Sequence, residues 1–267
     1  MNAATAGIPE SAWQEVIVPA RFAGQTVIVT GAGSGIGRAT ALRIAAEGGR
    51  VIASDLSGPR LDSLIEEAEG LDIVPVVGDV TVEADVASIV VAADGHVDGL
   101  ANIAGIADDF SPIHEVSDEM WERVFRVNVL GTLRLSRAVV PVMLAAGRGS
   151  IVNIASEAAL RGSVSGIAYT ASKHAVVGMT RHTAVMYGPS GIRTNAVAPG
   201  SVRTNIESDF SASSELVRNR LEPLRNAIRP PAAQAPELAA AITFLLSRDS
   251  VNLNGVILPS DGGWSAI

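Results

Sequence analysis

The segment Thr30-Gly31-Ala32-Gly33-Ser34-Gly35-Ile36-Gly37 joins a short β-branched run, Thr26–Val29, to a run with helical periodicity, Gly35–Glu47. No other stretch constrains the fold as strongly. A strand that ends in a glycine-dense turn and restarts at once as a helix brings free helix N–H groups and a helix dipole to the carboxyl edge of a sheet, where an anion is favoured. Glycine suits such a turn because the backbone must bend tightly and let a ligand approach closely.

The same alternation continues along the chain. Thr26–Val29, Val51–Ser54, Ile73–Val77, Gly99–Asn102, Ser150–Ile154, Arg193–Val197 and Val256–Leu258 read as seven buried strands. Helical periodicity marks Gly35–Glu47, Arg60–Ala68, Glu83–Ala93, Asp118–Ala146, Ala168–Tyr187 and Pro236–Ser247, the fourth being long enough for more than one helical segment. Strands alternating with helices imply right-handed crossovers. The expected fold is α/β: a single Rossmann-type doubly wound domain with a seven-stranded parallel sheet and helices on both faces. Hydrophobic residues make up 48% of the chain and aromatics only 4%, so the core must be built from Ala, Val, Ile and Leu. Residues 1–22 read as an N-terminal arm, laid over the domain or left loose, and 23–267 as the domain. The stretch at about 205–235, rich in Ser, Arg and Pro and without a clear strand, is expected to be a substrate lid.

The glycine turn reads as a dinucleotide site, with Gly31, Gly33, Ser34, Gly35, Ile36 and Gly37 around the pyrophosphate. Its spacing, G-x-x-x-G-x-G through Gly31, Gly35 and Gly37, departs from the commoner G-x-G-x-x-G pattern. Asp55 ends the second strand 24 residues after Gly31, where a carboxylate accepts from adenosine ribose hydroxyls and repels a 2′-phosphate. Ser34 and Leu56 supply no cation for that phosphate, so NAD(H) is favoured over NADP(H). Arg38 dissents: it is either a solvated helix cation or, with Arg60, a weak 2′-phosphate contact. Asp79-Val80 and Asn102-Ile103-Ala104-Gly105 follow the third and fourth strands onto the same sheet edge and complete the expected cofactor contacts, Asp79 also being placed to cap the next helix.

Tyr169 and Lys173 stand four apart on a predicted helix and so share a face. A phenol of ordinary pKa about 10 is a poor base at neutral pH, but an adjacent ammonium favours its phenolate. Ser156, just after the strand Ser150–Ile154, is placed to polarise a substrate oxygen as its carbonyl character develops. Asn128 is a poor helix-interior residue and is expected to bend the long helix locally, holding a water beside Lys173.

Taken together these residues resemble the short-chain dehydrogenase/reductase family in its compact one-domain form. The resemblance spans residues 24–264 and rests on Thr30–Gly37, Asp55, Asp79, Asn102–Gly105, Asn128, Ser156, Tyr169–Lys173 and Pro199-Gly200. It implies a catalytic tetrad of Asn128, Ser156, Tyr169 and Lys173, with Lys173 also on the nicotinamide ribose. It further implies that Ile36 packs at the cofactor, that Val202 contacts the carboxamide through its backbone, that Thr204 contacts the carboxamide or pyrophosphate, and that Pro199 and Gly200 shape their loop. A homo-oligomer, tetramer or dimer, is implied through the helices matching Asp118–Ala146 and Ala168–Tyr187, with a second interface near Asp261-Gly262-Gly263. Two departures bear on function: Ala155 stands where members often carry a second Ser, and Glu157, directly after Ser156, is expected to point to solvent or to select a polar or cationic substrate.

The expected activity is NAD-dependent hydride transfer on a small-molecule secondary alcohol or ketone. One rival is a non-catalytic dinucleotide sensor on the same fold, which need not keep the tetrad. Another is a sugar-nucleotide epimerase, which would need a substrate domain for which the residues after Gly200 leave little room. The substrate pocket is expected at Ile106, Glu157, Leu160, Arg161, Val164 and the lid, where Arg218, Arg220, Arg225 and Arg229 are either anion ligands or solvated helix charges. A net charge of −8 argues against a nucleic-acid partner, and the absence of cysteine excludes disulfides and thiolate metal sites. The four histidines show no metal-ligand spacing, so no metal is expected. With no run of 18 uninterrupted apolar residues and no signal-peptide pattern, no membrane association and a cytoplasmic setting are expected.

Overall fold

The computed structural model describes residues 13–204 and 213–266; the outer part of the expected arm, 1–12, and part of the expected lid, 205–212, lie outside the described residues. Seven strands, β1 (Thr26–Thr30), β2 (Arg50–Asp55), β3 (Ile73–Val77), β4 (Gly99–Asn102), β5 (Gly149–Ile154), β6 (Ile192–Pro199) and β7 (Ile257–Ser260), form one sheet in the order β3-β2-β1-β4-β5-β6-β7. Every pairing is parallel. The chain runs outward from β1 to β3, then returns to place β4 on the other side of β1. That reversal opens a crevice at the carboxyl ends of β1 and β4, where ligands bind in open α/β sheets.

Side-chain alternation explains the two covered faces. In β1, Val27 and Val29 enter one apolar core and Ile28 the other; in β2, Val51 and Ala53 oppose Ile52 in the same way. The first core is closed by α1 (Gly35–Ala46), α2 (Gly58–Glu67) and α8 (Ala235–Leu246), through Ile44, Leu61, Leu64, Leu238 and Ile242. The second is closed by α3 (Glu83–Val91) and α5 (Thr132–Ala146), through Ile89, Leu135, Val139 and Met143. On that side α6 (Ile167–Tyr187) packs Val177 against Ala196 and Ala198 of β6.

The long predicted helix Asp118–Ala146 is resolved into α4 (Asp118–Phe125), a π-helical turn at Arg126–Gly131, and α5. One further helix, α7 (Glu215–Ile228), occupies the segment read as a lid without a clear strand. The described part of the arm lies over the base of the domain: Phe22 is fully buried, the Val18 N–H donates to Glu47, and Arg43 pairs with Glu15 and Glu47.

Candidate active site

The glycine turn is shaped by close approach. Gly31 has φ +67°, and a Cβ there would lie 3.1 Å from the Ala104 backbone; a Cβ on Gly37 would lie 2.1 Å from the Gly31 carbonyl oxygen. Ser34 forms the N-cap of α1 without a side-chain cap bond, which leaves first-turn N–H groups available to an anion. Thr30 joins the two strands that flank the crevice: its hydroxyl accepts from the N–H groups of Ile103 and Ala104 at 3.0 and 3.1 Å. Sequence reasoning did not single out Thr30, although it closes the edge on which the turn sits.

Asp55 lies beside that turn. Its Oδ2 accepts from the Gly33 N–H at 3.0 Å and its Oδ1 from Ser57 N–H at 2.9 Å, while Leu56 is exposed. Arg38, one of the two cations weighed as a 2′-phosphate contact, is committed elsewhere: Nε donates to Glu67 at 2.8 Å and Nη2 to the Ser63 carbonyl at 2.8 Å. Asp79 acts as a turn cap, its Oδ1 accepting from Thr81 N–H at 2.7 Å, and Val80 packs on Gly131. The Asn102 amide turns into the protein, donating to Asn153 Oδ1 at 2.8 Å and to Ser136 Oγ at 3.1 Å, while the backbone N–H groups of Ile103 and Ala104 face Thr30. Ile36 is half-buried against the first core. Pro199 ends β6; Gly200 runs against Asp261; Val202 pairs with Ala233; and Thr204 reaches within 3.1 Å of the Cβ position of Gly35, over the glycine turn.

Ser156, Tyr169, Lys173 and Asn128 converge at the other end of this crevice. The hydroxyls of Ser156 and Tyr169 share a hydrogen bond, and Ser156 Oγ also accepts from Ala158 N–H at 3.1 Å. Lys173 is buried, donates from Nζ to the Ile154 carbonyl at 2.9 Å, and sits 5.4 Å from the Tyr169 ring centroid. Burial pushes the Tyr169 phenol up to about 12, against the Ser156 hydrogen bond, which favours the phenolate, and with the nearby Asp108 charge. Burial pulls the Lys173 ammonium down to about 8. Asn128 sits in the π-helical turn, which re-aims a side chain that a regular helix would hold elsewhere. Its Oδ1 accepts from Ile106 N–H at 2.9 Å, and its Nδ2 donates to the Ile106 carbonyl at 3.0 Å and to Ser172 Oγ at 3.1 Å. The local distortion expected at Asn128 is therefore present, and its amide fastens the backbone at Ile106.

Glu157 corrects a sequence expectation. It does not point to solvent: it is fully buried, Oε1 lies 2.5 Å from Arg161 Nε, and the Asp261 carboxylate is near enough to act on it electrostatically. The reason is its place in a short helical turn after β5, against which the chain at Asp261 folds. Desolvation lifts its carboxyl to about 7 despite Arg161, whereas at Asp261 burial, which raises the carboxyl, is outweighed by hydrogen bonds from Ser265 and Gly263, and it is held below its ordinary value. Of the four lid arginines, Arg218, Arg220 and Arg229 are exposed, while Arg225 is buried with its guanidinium 5.2 Å from the Phe110 ring centroid. No cluster of three or more metal-ligating side chains occurs among the described residues.

A model of the short chain dehydrogenase family matches residues 25–215. Levodione reductase from Leifsonia aquatica is 36% identical over 263 residues, covering 92% of this chain and 96% of its own. A levodione reductase crystal structure superposes with a TM-score of 0.82 at 36% identity, over 92% of this chain and 99% of that one. Two other solved structures carry nicotinamide cofactors. One is a candidate NAD(P)-dependent gluconate 5-dehydrogenase from Beutenbergia cavernae with NADP at low occupancy (36% identity, TM-score 0.80, covering 93% of this chain and 100% of that one). The other is the 3-ketoacyl-(acyl-carrier-protein) reductase from Brucella melitensis with NADH (30% identity, TM-score 0.81, covering 91% and 99%). With a seven-stranded parallel sheet, a glycine turn at its carboxyl edge and this degree of likeness over nine-tenths of its length, the chain belongs to the short-chain dehydrogenase/reductase family of nicotinamide-dinucleotide oxidoreductases.

Proposed function

We propose that this protein interconverts a secondary alcohol and its ketone by hydride transfer with NAD, using Tyr169 as general acid and base. The convergence of Ser156, Tyr169 and Lys173 at the mouth of a dinucleotide crevice carries this reading. The crevice fits the cofactor: Gly31, Gly33, Ser34, Gly35, Ile36 and Gly37 would flank the pyrophosphate, Asp55 the adenosine ribose, Lys173 the nicotinamide ribose, and Val202 and Thr204 the carboxamide side. Leu56, Asp79, Val80, Asn102, Ala104, Gly105, Pro199 and Gly200 would complete its walls. When bound, the nicotinamide supplies the hydride acceptor or donor.

The chain's own residues handle the proton. In the oxidation direction Tyr169 accepts the hydroxyl proton of the substrate, helped by the Lys173 ammonium, and in reduction it returns that proton. Ser156 holds the substrate oxygen through its hydroxyl while charge develops there. Asn128, by fixing Ile106, keeps the loop beside the substrate in place. The Asp55 carboxylate, which would repel a 2′-phosphate, favours NAD(H); of the two cations near it Arg38 is spent on Glu67 and Ser63, while Arg60, exposed and packed beside Asp55 at Gly33, is the one that would meet such a phosphate. The segment around α7 acts as a lid, and the chain works as a homo-oligomer, a tetramer or dimer.

The test is a fluorescence titration with NADH and with NADPH, followed by a screen of alcohols and ketones read by reduced-nicotinamide absorbance, on the wild type and Tyr169→Phe. Tighter NADH binding, turnover by the wild type, and a loss of about 100-fold or more in Tyr169→Phe with cofactor binding kept support the proposal. Near-normal turnover by Tyr169→Phe removes Tyr169 as the acid–base, and equal or tighter NADPH binding removes the Asp55 argument.

A further inference from the structure

The catalytic helix α6 begins without a cap of its own. Its N-cap is Gly166, which has no side chain to accept from the first-turn amides. In most helices an N-cap side chain takes the N–H of the third helical residue. Here that third residue is Tyr169, and its N–H donates 2.8 Å to Asp108 Oδ2, from a loop 61 residues earlier in the chain. The other oxygen of the same carboxylate, Oδ1, accepts from Gly166 N–H at 3.1 Å, Ser165 Oγ at 3.0 Å and Phe110 N–H at 3.2 Å. Asp108 is buried, and a Cβ on Gly166 would lie 2.5 Å from its Oδ2, so a glycine cap and a remote carboxylate go together here.

We propose that Asp108 is a positioning residue for Tyr169: its carboxylate caps α6 from outside, fixes the backbone of the catalytic tyrosine, and sets a negative charge near the phenol. This rests on the reading of Tyr169 as the acid–base. The loop that carries Asp108 is itself held. Phe110, two residues on, is buried with a left-handed φ of +64°, and Arg225 of α7 lies on its ring. The Ile167 N–H also donates to the Ser111 carbonyl at 3.1 Å, so loop and helix are joined at successive points.

The charge has a direction. Asp108 favours the neutral phenol, and Lys173 as an ammonium favours the phenolate. Of the charged groups on the elements around Tyr169, Lys173 lies on its own helix, Asp108 on the loop after β4, Glu157 and Arg161 after β5, Asp261 after β7 and Arg225 on α7, while Asp109 and the charges that α4 and the π-helical turn bring against α6, Asp118, Glu119, Glu122, Arg123 and Arg126, are all exposed. Of these, Asp108 is the one bonded to the tyrosine's own backbone. Neutralising it therefore acts on both the place and the proton affinity of the phenol.

The sequence offers a clean readout, because Tyr169 and Tyr187 are the only two tyrosines. In a Tyr187→Phe background, tyrosinate absorbance reports Tyr169 alone, without any turnover. Asp108→Asn is expected to lower the tyrosinate midpoint, with NAD bound, by about half a unit. The pH profile of alcohol oxidation should move the same way, kcat should fall about 10- to 100-fold, and the NAD KM should change less than about twofold. Asp108→Glu, which keeps the charge but moves the oxygens, should restore the midpoint and not kcat. Should Asp108→Asn fail to fold by circular dichroism, Asp108→Ser gives the same titration. An unchanged tyrosinate midpoint in the charge-neutral variant overturns the proposal, as does a loss of kcat without any shift. Turnover surviving in Tyr169→Phe overturns the acid–base reading instead, and the titration still reports whether Asp108 acts on the phenol.

Discussion

Burial acts in opposite directions on Tyr169 and Lys173, raising the phenol to about 12 and lowering the ammonium to about 8. The same physics at Glu157 yields a test of stability. Its folded-state carboxyl titrates at about 7 and an ordinary one at 4.5, so between these values the folded chain holds a proton that the unfolded chain has lost. Folding is then favoured by lower pH across that window, and this contribution is lost as pH rises through about 7. Glu157→Gln, which stays neutral, should flatten the fall in urea midpoint between about pH 5 and pH 8; an unchanged slope would show that Glu157 does not carry it. At this scale spacing along the chain pointed to residues that the fold does bring together, as at Ser156, Tyr169 and Lys173. The sequence was opaque at Glu157 and Asp108, whose partners Asp261, Ser165 and Gly166 are brought to them only by the fold.

Among the elements, the strands were readable because each is a short apolar run ending at the crevice edge, and all seven lie within a few residues of where the pattern puts them. The helix α7 was not readable. Val217, Leu221, Leu224 and Ile228 do recur at helical spacing, but Arg, Asn and Glu surround them, Pro223 interrupts the interior, and of that stripe only Val217 is buried, so the stripe is easily passed over. The π-helical turn lies between these cases: an Asn in a helix signals distortion, but only the fold shows that the amide grips Ile106 and Ser172. Removing that grip should cost more than a surface change. Asn128→Ala leaves the part-buried backbone N–H and carbonyl of Ile106 and the buried Ser172 hydroxyl without this partner, and a loss of about 1–3 kcal/mol is expected in urea unfolding. A loss within about 0.5 kcal/mol would mean that the turn holds itself.

Over the whole molecule, apolar side chains remain on the outer surfaces of the helices that were expected to meet other copies. Trp121 of α4, Leu133 and Leu144 of α5, and Val185 and Met186 of α6 are all substantially exposed. Light scattering should find a mass two or four times that of the chain. Val185→Glu, a charge on the most exposed of these positions, should shift the particle towards smaller assemblies; an unchanged mass would place the interface elsewhere. The order of the strands carries a further consequence, for the time before the chain is native. The central strand β1 is flanked by β2 on one side and β4 on the other. A nascent chain that has paired β1 to β3 still presents the far edge of β1, five consecutive buried residues, to any passing strand until residues 99–102 arrive. The crevice that is to take the cofactor and the edge most prone to misassociation are thus one feature, and the docking of β4 both completes the former and removes the latter.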